Sequence, residues 1–201
     1  MKSKKVAIFE SGGANYSSVF HALARLGCTP FVTKSLGDLQ KSDAIILPGV
    51  GSAGLAMDQL KLLQATDFLK NQPRPVLGIC LGQQLLCSSS EEDDTSCLGI
   101  IPLQVRKLKG PKILPHMGWN NLVQLEEGEP LLKGIDTSDN FYFIHSFAAE
   151  IVRPFSVGIA DYFGTFSAVI RRDHFYGVQF HPEKSGISGL KILKNFLEIK
   201  V

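Results

Sequence analysis

The chain has 201 residues, 44% of them apolar and 20% charged, with a formal net charge of +2. That length builds a sizeable core without disulfide staples, and the composition excludes a disordered chain. A charge so near zero, with no dense Lys/Arg stripe, argues against nucleic acid or an anionic membrane as a partner.

The basic start, Met1-Lys2-Ser3-Lys4-Lys5, leads into an apolar run at residues 6–9 that is too short for a signal peptide. No stretch approaches the length of a membrane-spanning helix, so the expected compartment is the cytoplasm. The run at 6–9 predicts a strand buried on both faces. Tyr16, Val19, Phe20, Leu23 and Leu26 then recur at helical spacing, with Gly27 as the stop. Strands follow at residues 31–33 and 43–47. Ser52 and Gly54 open one longer helix carrying Leu55, Leu62, Leu63 and Leu69. A fourth buried strand at 75–79 runs into a helix over 81–86. Strands joined by crossover helices predict a three-layer α/β fold with a largely parallel sheet.

The second half has strand character at 103–108, 121–125, 141–147, 155–160, 166–171 and 175–180, and a last helix carries Leu190, Leu193 and Leu197. Arg106, Lys107 and Lys109 read as a solvated strand edge, and the acidic run Glu91-Glu92-Asp93-Asp94 as a solvated loop. With no repeat, linker or low-complexity tract, residues 1–201 are expected to form one domain. Cys28, Cys80, Cys87 and Cys97 show no CxxC pairing and no metal-ligand spacing with the five histidines, which predicts free thiols and no metal site. Cys28, Cys87 and Cys97 read as small buried groups without chemistry. His21 and His174 read as surface residues.

Cys80 differs because of its setting. In Gly78-Ile79-Cys80-Leu81-Gly82 a strand ends and a helix begins, with glycines two places either side of the thiol. That is the nucleophile-elbow pattern with cysteine for serine; the tight turn lifts the side chain above the sheet, and the helix N-terminus favours thiolate. The Leu81 N–H would face an oxyanion on the attacked carbonyl. Gln179-Phe180-His181-Pro182-Glu183 ends a strand run, and residues two apart in extended chain share a face. Pro182 keeps His181 extended, so Glu183 is expected to reach one ring nitrogen while the other faces the thiol. The Leu47-Pro48-Gly49-Val50-Gly51-Ser52 loop lies at the carboxyl end of a parallel strand and could offer a second N–H, from Val50 or Gly51. Ser11-Gly12-Gly13-Ala14-Asn15 matches neither a dinucleotide nor a P-loop pattern, which argues against a nucleotide cofactor.

Together, Pro48-Gly49-x-Gly51, Gly78-x-Cys80-x-Gly82-x-Gln84 and His181-Pro182-Glu183 resemble the class I, triad-type glutamine amidotransferases, in that family's order. Pro115-His116-Met117-Gly118-Trp119-Asn120, Tyr142-Phe143-Ile144-His145-Ser146 and Pro182-Glu183-Lys184-Ser185 narrow the resemblance to one branch, the glutaminase subunits of imidazole glycerol phosphate synthases, over nearly the whole chain. The resemblance implies a three-layer fold with antiparallel strands added to the parallel sheet. It implies glutamine as substrate, a Cys80-His181-Glu183 triad, and no metal or organic cofactor. It also implies a (β/α)8-barrel cyclase as heterodimer partner, receiving ammonia for histidine biosynthesis. Gly49, Gln84, Glu92, His145 and Ser146 match positions around bound glutamine, and Asn15, Trp119 and Lys184 match positions at the cyclase interface. Gln83 stands where methionine is usual and Phe147 where tyrosine is common, and residues 87–95 look inserted. The alternatives are a class I glutaminase serving pyridoxal phosphate or anthranilate synthesis, a stand-alone cysteine hydrolase or peptidase, and a silent regulatory module.

Overall fold

The structure, a computed structural model, describes residues 3–10, 15–110 and 113–200. The residues expected to form the first glycine-rich loop, 11–14, lie outside them, as do Met1 and Lys2. Strands β1 (Lys5–Phe9), β2 (Thr29–Thr33), β3 (Ala44–Gly49) and β4 (Val76–Cys80) pair in parallel in the order β2-β1-β3-β4. The helices α1 (Tyr16–Arg25), α2 (Leu36–Leu39), α3 (Ala53–Leu62) and α4 (Ala65–Asn71) lie between them, and α5 (Leu81–Leu86) follows β4. Strand β13 (Phe175–Val178) returns late in the chain to pair parallel with β4, and α6 (Gly186–Glu198) closes the described fold.

Alternation along the strands makes the three layers. Val6 and Ile8 point into one core with Val19 and Leu23 of α1 and Ile192, Leu193 and Phe196 of α6. Ala7 and Phe9 point into the other, with Met57 and Leu60 of α3, Leu69 of α4 and Leu85 of α5. The predicted parallel α/β half is therefore present.

The expected long helix after Ser52 is two. Leu63 ends α3, and Gln64 adopts left-handed geometry (φ 53°) that redirects the chain so that Ala65 and Leu69 are buried by α4. Leucine spacing alone does not register such a break.

The antiparallel half comprises β7 (Gln104–Lys107), β8 (His116–Leu125), β9 (Asn140–His145), β10 (Phe147–Ala149), β11 (Ser156–Asp161) and β12 (Thr165–Arg172), with a small hairpin of β5 (Ser89–Ser90) and β6 (Thr95–Ser96). β12 joins this half to the parallel sheet through β13. The run expected as one strand at 141–147 breaks at Ser146. β9 pairs only with β8, whereas β10 pairs with β7 and β12, so the chain steps from one ladder to another there. That step forms a wall of the cleft beside Cys80. Among the described residues no helix is long and apolar enough to cross a membrane.

The acidic run is not simply a solvated loop. Glu91 accepts from the Lys107 N–H at 2.8 Å and pairs with Arg106 at 3.0 Å, and a Glu92 carboxylate oxygen accepts from the Ala53 N–H at the start of α3, 2.8 Å away. The four cysteines are free, as expected, but only Cys80 and Cys87 are buried; Cys28 and Cys97 are half-exposed. His21 is exposed, whereas His174 is half-buried with Nε2 2.8 Å from the Gln72 carbonyl.

Candidate active site

Cys80 occupies the last position of β4 and the cap position of α5, with φ 55° and ψ −111°. A non-glycine residue with that backbone is strained, and the surrounding contacts must hold it there. Two glycines make those contacts. A Cβ on Gly82 would sit 1.7 Å from the Leu47 carbonyl oxygen of β3, and one on Gly78 would sit 2.5 Å from the Gly82 carbonyl oxygen. The elbow exists because strand and helix backbones approach closer than any side chain permits. The Cys80 side chain is 7% exposed, and its thiol lies 3.7 Å from the Ile144 carbonyl oxygen.

His181 follows β13 in extended geometry (φ −97°, ψ 95°), as the proline after it dictates. Its Nδ1–H donates to a Glu183 carboxylate oxygen at 2.8 Å. The pairing is the expected one, but the route differs. Residues Pro182–Lys184 turn into a 3-10 helix, and the turn, not an extended strand, folds Glu183 back onto the ring. The His181 backbone is clamped as well. Its N–H donates to the Tyr142 carbonyl, and its carbonyl accepts from the Ser185 hydroxyl at 2.6 Å. Nε2 is buried and, among the described residues, has no partner in hydrogen-bonding geometry, open to take a proton. Burial disfavours charge on His181, but the Cys80 and Glu183 side chains outweigh it, raising its pKa from 6.5 to about 10. A histidine that prefers to be charged is placed to take and hold a proton from the cysteine beside it.

A cavity of about 310 Å3 opens over these groups, lined by Val50, Gly51, Cys80, Leu81, Gln84, Glu92, Pro115, Ile144, His145, Ser146, Phe147 and His181. This volume suits a small ligand. The cavity gathers both members of the expected oxyanion loop, the Leu81 position, and four of the five expected glutamine contacts. Gly49 lies outside it, beneath the site. It pairs with Cys80 across the sheet, and a Cβ there would press to 2.9 Å on the Leu81 side chain. Gln84 lines the cavity, but its amide nitrogen donates inside the protein, to the Phe147 carbonyl at 2.9 Å and to the Gln179 side-chain oxygen at 3.0 Å. Burial raises the Glu92 pKa, against the lowering effect of the Ala53 N–H.

His145 is a different kind of histidine. Its Nδ1 is 2.9 Å from the Phe147 carbonyl, which can only accept, so the proton is on Nδ1. Its Nε2 therefore accepts, from the His116 Nδ1–H 3.0 Å away. His116 is stacked between Phe143 and Tyr162, at centroid distances of 4.9 and 3.9 Å. Burial above all drives the His145 pKa down to about 3, with His116 and His181 adding to the fall and the Phe147 carbonyl opposing it. It is a neutral fixture of the cavity wall. Residue patterns did not single out His116, Pro115, Ile144, Phe147 or Gln179 for the site, because strands remote in sequence deliver them. Gln179 alone carried a local signal, two residues before His181.

Trp119 is 60% exposed and meets Tyr142 edge-on at 6.1 Å; the Lys184 ammonium lies 5.9 Å from the same Tyr142 ring. Two of the three residues expected at a partner interface thus share one exposed cluster. The third, Asn15, caps α1, accepting from the Ser18 N–H at 3.2 Å, and α1 packs against the 3-10 turn that carries Lys184.

Known proteins resemble this chain in sequence and in fold. The family profile described as glutamine amidotransferase class-I matches residues 7–199. A protein of Salmonella typhimurium named imidazole glycerol phosphate synthase subunit HisH is 45% identical over 196 residues, covering 96% of this chain and 99% of its own. Proteins of the same name from Colwellia psychrerythraea and Photorhabdus laumondii are 44% and 42% identical, covering 99% and 97% of this chain and 95% and 100% of theirs. Among solved structures, one titled as a glutamine amidotransferase superposes with a TM-score of 0.76 at 17% identity, covering 96% of this chain and 97% of that one. The PurLQS structure from Thermotoga maritima reaches 0.72 at 18% identity, covering 98% of each chain. At those identities the structures speak for the fold alone.

Proposed function

The chain belongs to the class I glutamine amidotransferases, and from that premise we propose that it hydrolyses glutamine to glutamate and ammonia as the glutaminase subunit of imidazole glycerol phosphate synthase, in histidine biosynthesis, acting as one domain over residues 1–201. The observation that carries this reading is the strained Cys80 facing the same cavity as a His181 bound through Nδ1 to Glu183.

His181 Nε2 takes the Cys80 proton, and the thiolate attacks the side-chain amide carbon of glutamine. The oxyanion is held by the Leu81 N–H and an N–H of the Val50–Gly51 loop. The imidazolium then protonates the departing ammonia, leaving a thioester on Cys80. His181 next draws a proton from water, which attacks the thioester and releases glutamate. Glu183 stabilises the imidazolium in both halves and fixes its tautomer. Glu92, His145, Ser146 and the Gln84 oxygen form the wall against which glutamine lies, over Gly49.

We assign the exposed face around Trp119, Tyr142 and Lys184, with Asn15 at its edge, to the (β/α)8-barrel cyclase that uses the ammonia. An exposed aromatic beside a lysine fits a hot spot better than a free surface. Glutamate release, measured for the chain alone and then with cyclase and its nucleotide substrate, tests both parts. Strong stimulation by the two together is expected, with about a thousandfold or greater loss on Cys80→Ala. Undiminished turnover by Cys80→Ala removes the nucleophile, and equal turnover without the cyclase removes the partner.

A further inference from the structure

Gln179 is fully buried, one strand away from the nucleophile, and both ends of its amide are engaged. Its nitrogen lies 3.6 Å from the Cys80 sulfur, and its oxygen lies 3.0 Å from the Gln84 amide nitrogen. The direction of this chain of bonds follows from one group that cannot reverse. The Phe147 carbonyl only accepts, so the Gln84 atom 2.9 Å from it is the nitrogen. That nitrogen has a second proton, which goes to Gln179, so the Gln179 atom facing it is the oxygen. The Gln179 nitrogen is left to face Cys80. Gln84 donates both to Phe147 and to Gln179, and Gln179 donates to the sulfur, with no free choice of amide orientation.

We propose that Gln179 is a catalytic residue whose side-chain N–H donates to the Cys80 sulfur and stabilises the thiolate, and that Gln84 is the positioning residue that aims it. This deepens the reading of Cys80 as the nucleophile and rests on it. A thiol can give its own proton to the Ile144 carbonyl, 3.7 Å away, but a thiolate is repelled by the negative end of that oxygen. Gln179 supplies the donor the anion needs, from a place water does not reach. The titratable groups facing the sulfur from the elements around it are His181, backed by Glu183, then His145 from β9, and Glu92 across the cavity. The neutral Gln179 amide acts alongside them without adding charge.

The test is the pH profile of Cys80 alkylation by iodoacetamide, read peptide by peptide in the full-length chain. Gln179→Met keeps the bulk and removes the donor. Its profile is expected to shift upward by about one pH unit, with alkylation about tenfold slower below both midpoints and the alkaline plateau kept. Gln179→Glu is expected to shift it further, since a carboxylate would face the thiolate. Gln84→Met leaves Gln179 in place but unaimed and is expected to shift the profile in the same direction. Cys87 is fully buried, so its protection from iodoacetamide reports an intact fold in every variant. Should Gln179→Met expose Cys87, Gln84→Met decides. An unmoved midpoint in a variant that protects Cys87 overturns the proposal. If wild-type Cys80 labels no faster than the half-exposed Cys97, the nucleophile reading fails first and this one with it.

Discussion

At the Cys80 turn the supporting neighbours are backbone. The Leu47 carbonyl lies against Gly82, and the Gly82 carbonyl lies against Gly78, leaving no space for a methyl group at either glycine. At the His181 turn side chains add to backbone bonds from the Tyr142 carbonyl and the Lys184 N–H: Glu183 on the ring, and the Ser185 hydroxyl between the His181 carbonyl and the Tyr142 N–H. The position of Cys80 is thus a property of how strand packs on helix, and it cannot be altered without disturbing the sheet. The position and charge of His181 also depend on a few polar side chains that can be removed one at a time. Damage to the first region should abolish the fold; damage to the second should leave a folded, impaired enzyme.

Gly82→Ala is the severest change. With a Cβ driven to 1.7 Å from a backbone oxygen, a loss of about 4 kcal/mol or more is expected, read as failure to yield soluble protein with a cooperative melt. A normally folded Gly82→Ala would end the contrast between the regions. Glu183→Gln is the matching cut on the other side. It keeps the shape, removes the charge that holds the imidazolium, and is expected to lower kcat by roughly 100- to 10,000-fold. The protein should still fold with a cooperative melt, lowered because Glu183 is one of the groups that raise the His181 pKa, and failure to fold would mean that the second region is structural too.

Stability against pH separates two histidines within the second region. The His181 pKa is raised to about 10 from 6.5, so its contribution is full below pH 6.5 and is lost as pH rises toward 10. The His145 pKa is lowered to about 3, so its contribution is present above pH 6.5 and is lost as pH falls toward 3. Melts taken across pH 4 to 10 should fall on both flanks, and Cys80→Ala should flatten the alkaline flank alone. Ser185→Ala is the mildest change. It leaves the half-buried Tyr142 N–H without its hydroxyl acceptor, while the His181 carbonyl keeps the Lys184 N–H at 3.0 Å, costing about 1–3 kcal/mol, or several degrees of melting temperature, with a smaller loss of kcat than Glu183→Gln. An unchanged melt would show that the clamp is made by the Tyr142 carbonyl alone.

The parallel half was legible because its strands are continuous apolar runs and the helices between them carry 3.6-residue spacing. The elbow was legible because its glycines and thiol are adjacent in the chain. The break at Gln64 was not, since a glutamine in left-handed geometry has no local marker. Nor was the break at Ser146, because Phe141, Tyr142, Phe143, Ile144 and Phe147 around it favour strand and only the change of pairing partner splits the run. The role of the acidic run was hidden for a similar reason. Glu92 finds the α3 N-terminus 39 residues upstream, and Glu91 finds Arg106 15 residues downstream.

Local sequence dictates the strand-turn-helix that presents Cys80 and the proline that holds His181 extended, because those depend on steric limits between residues close in the chain. It also supplies the residue types of the proposed triad in an order specific enough to identify the family. Which of the histidines is charged is settled by the fold. His145 and His181 are both buried in one cavity wall, and what separates them is the partner each meets: a carbonyl and a second imidazole for one, a carboxylate and a thiol for the other. Those partners arrive from separate strands and turns, and a side chain's protonation follows the charges around it rather than its neighbours in sequence.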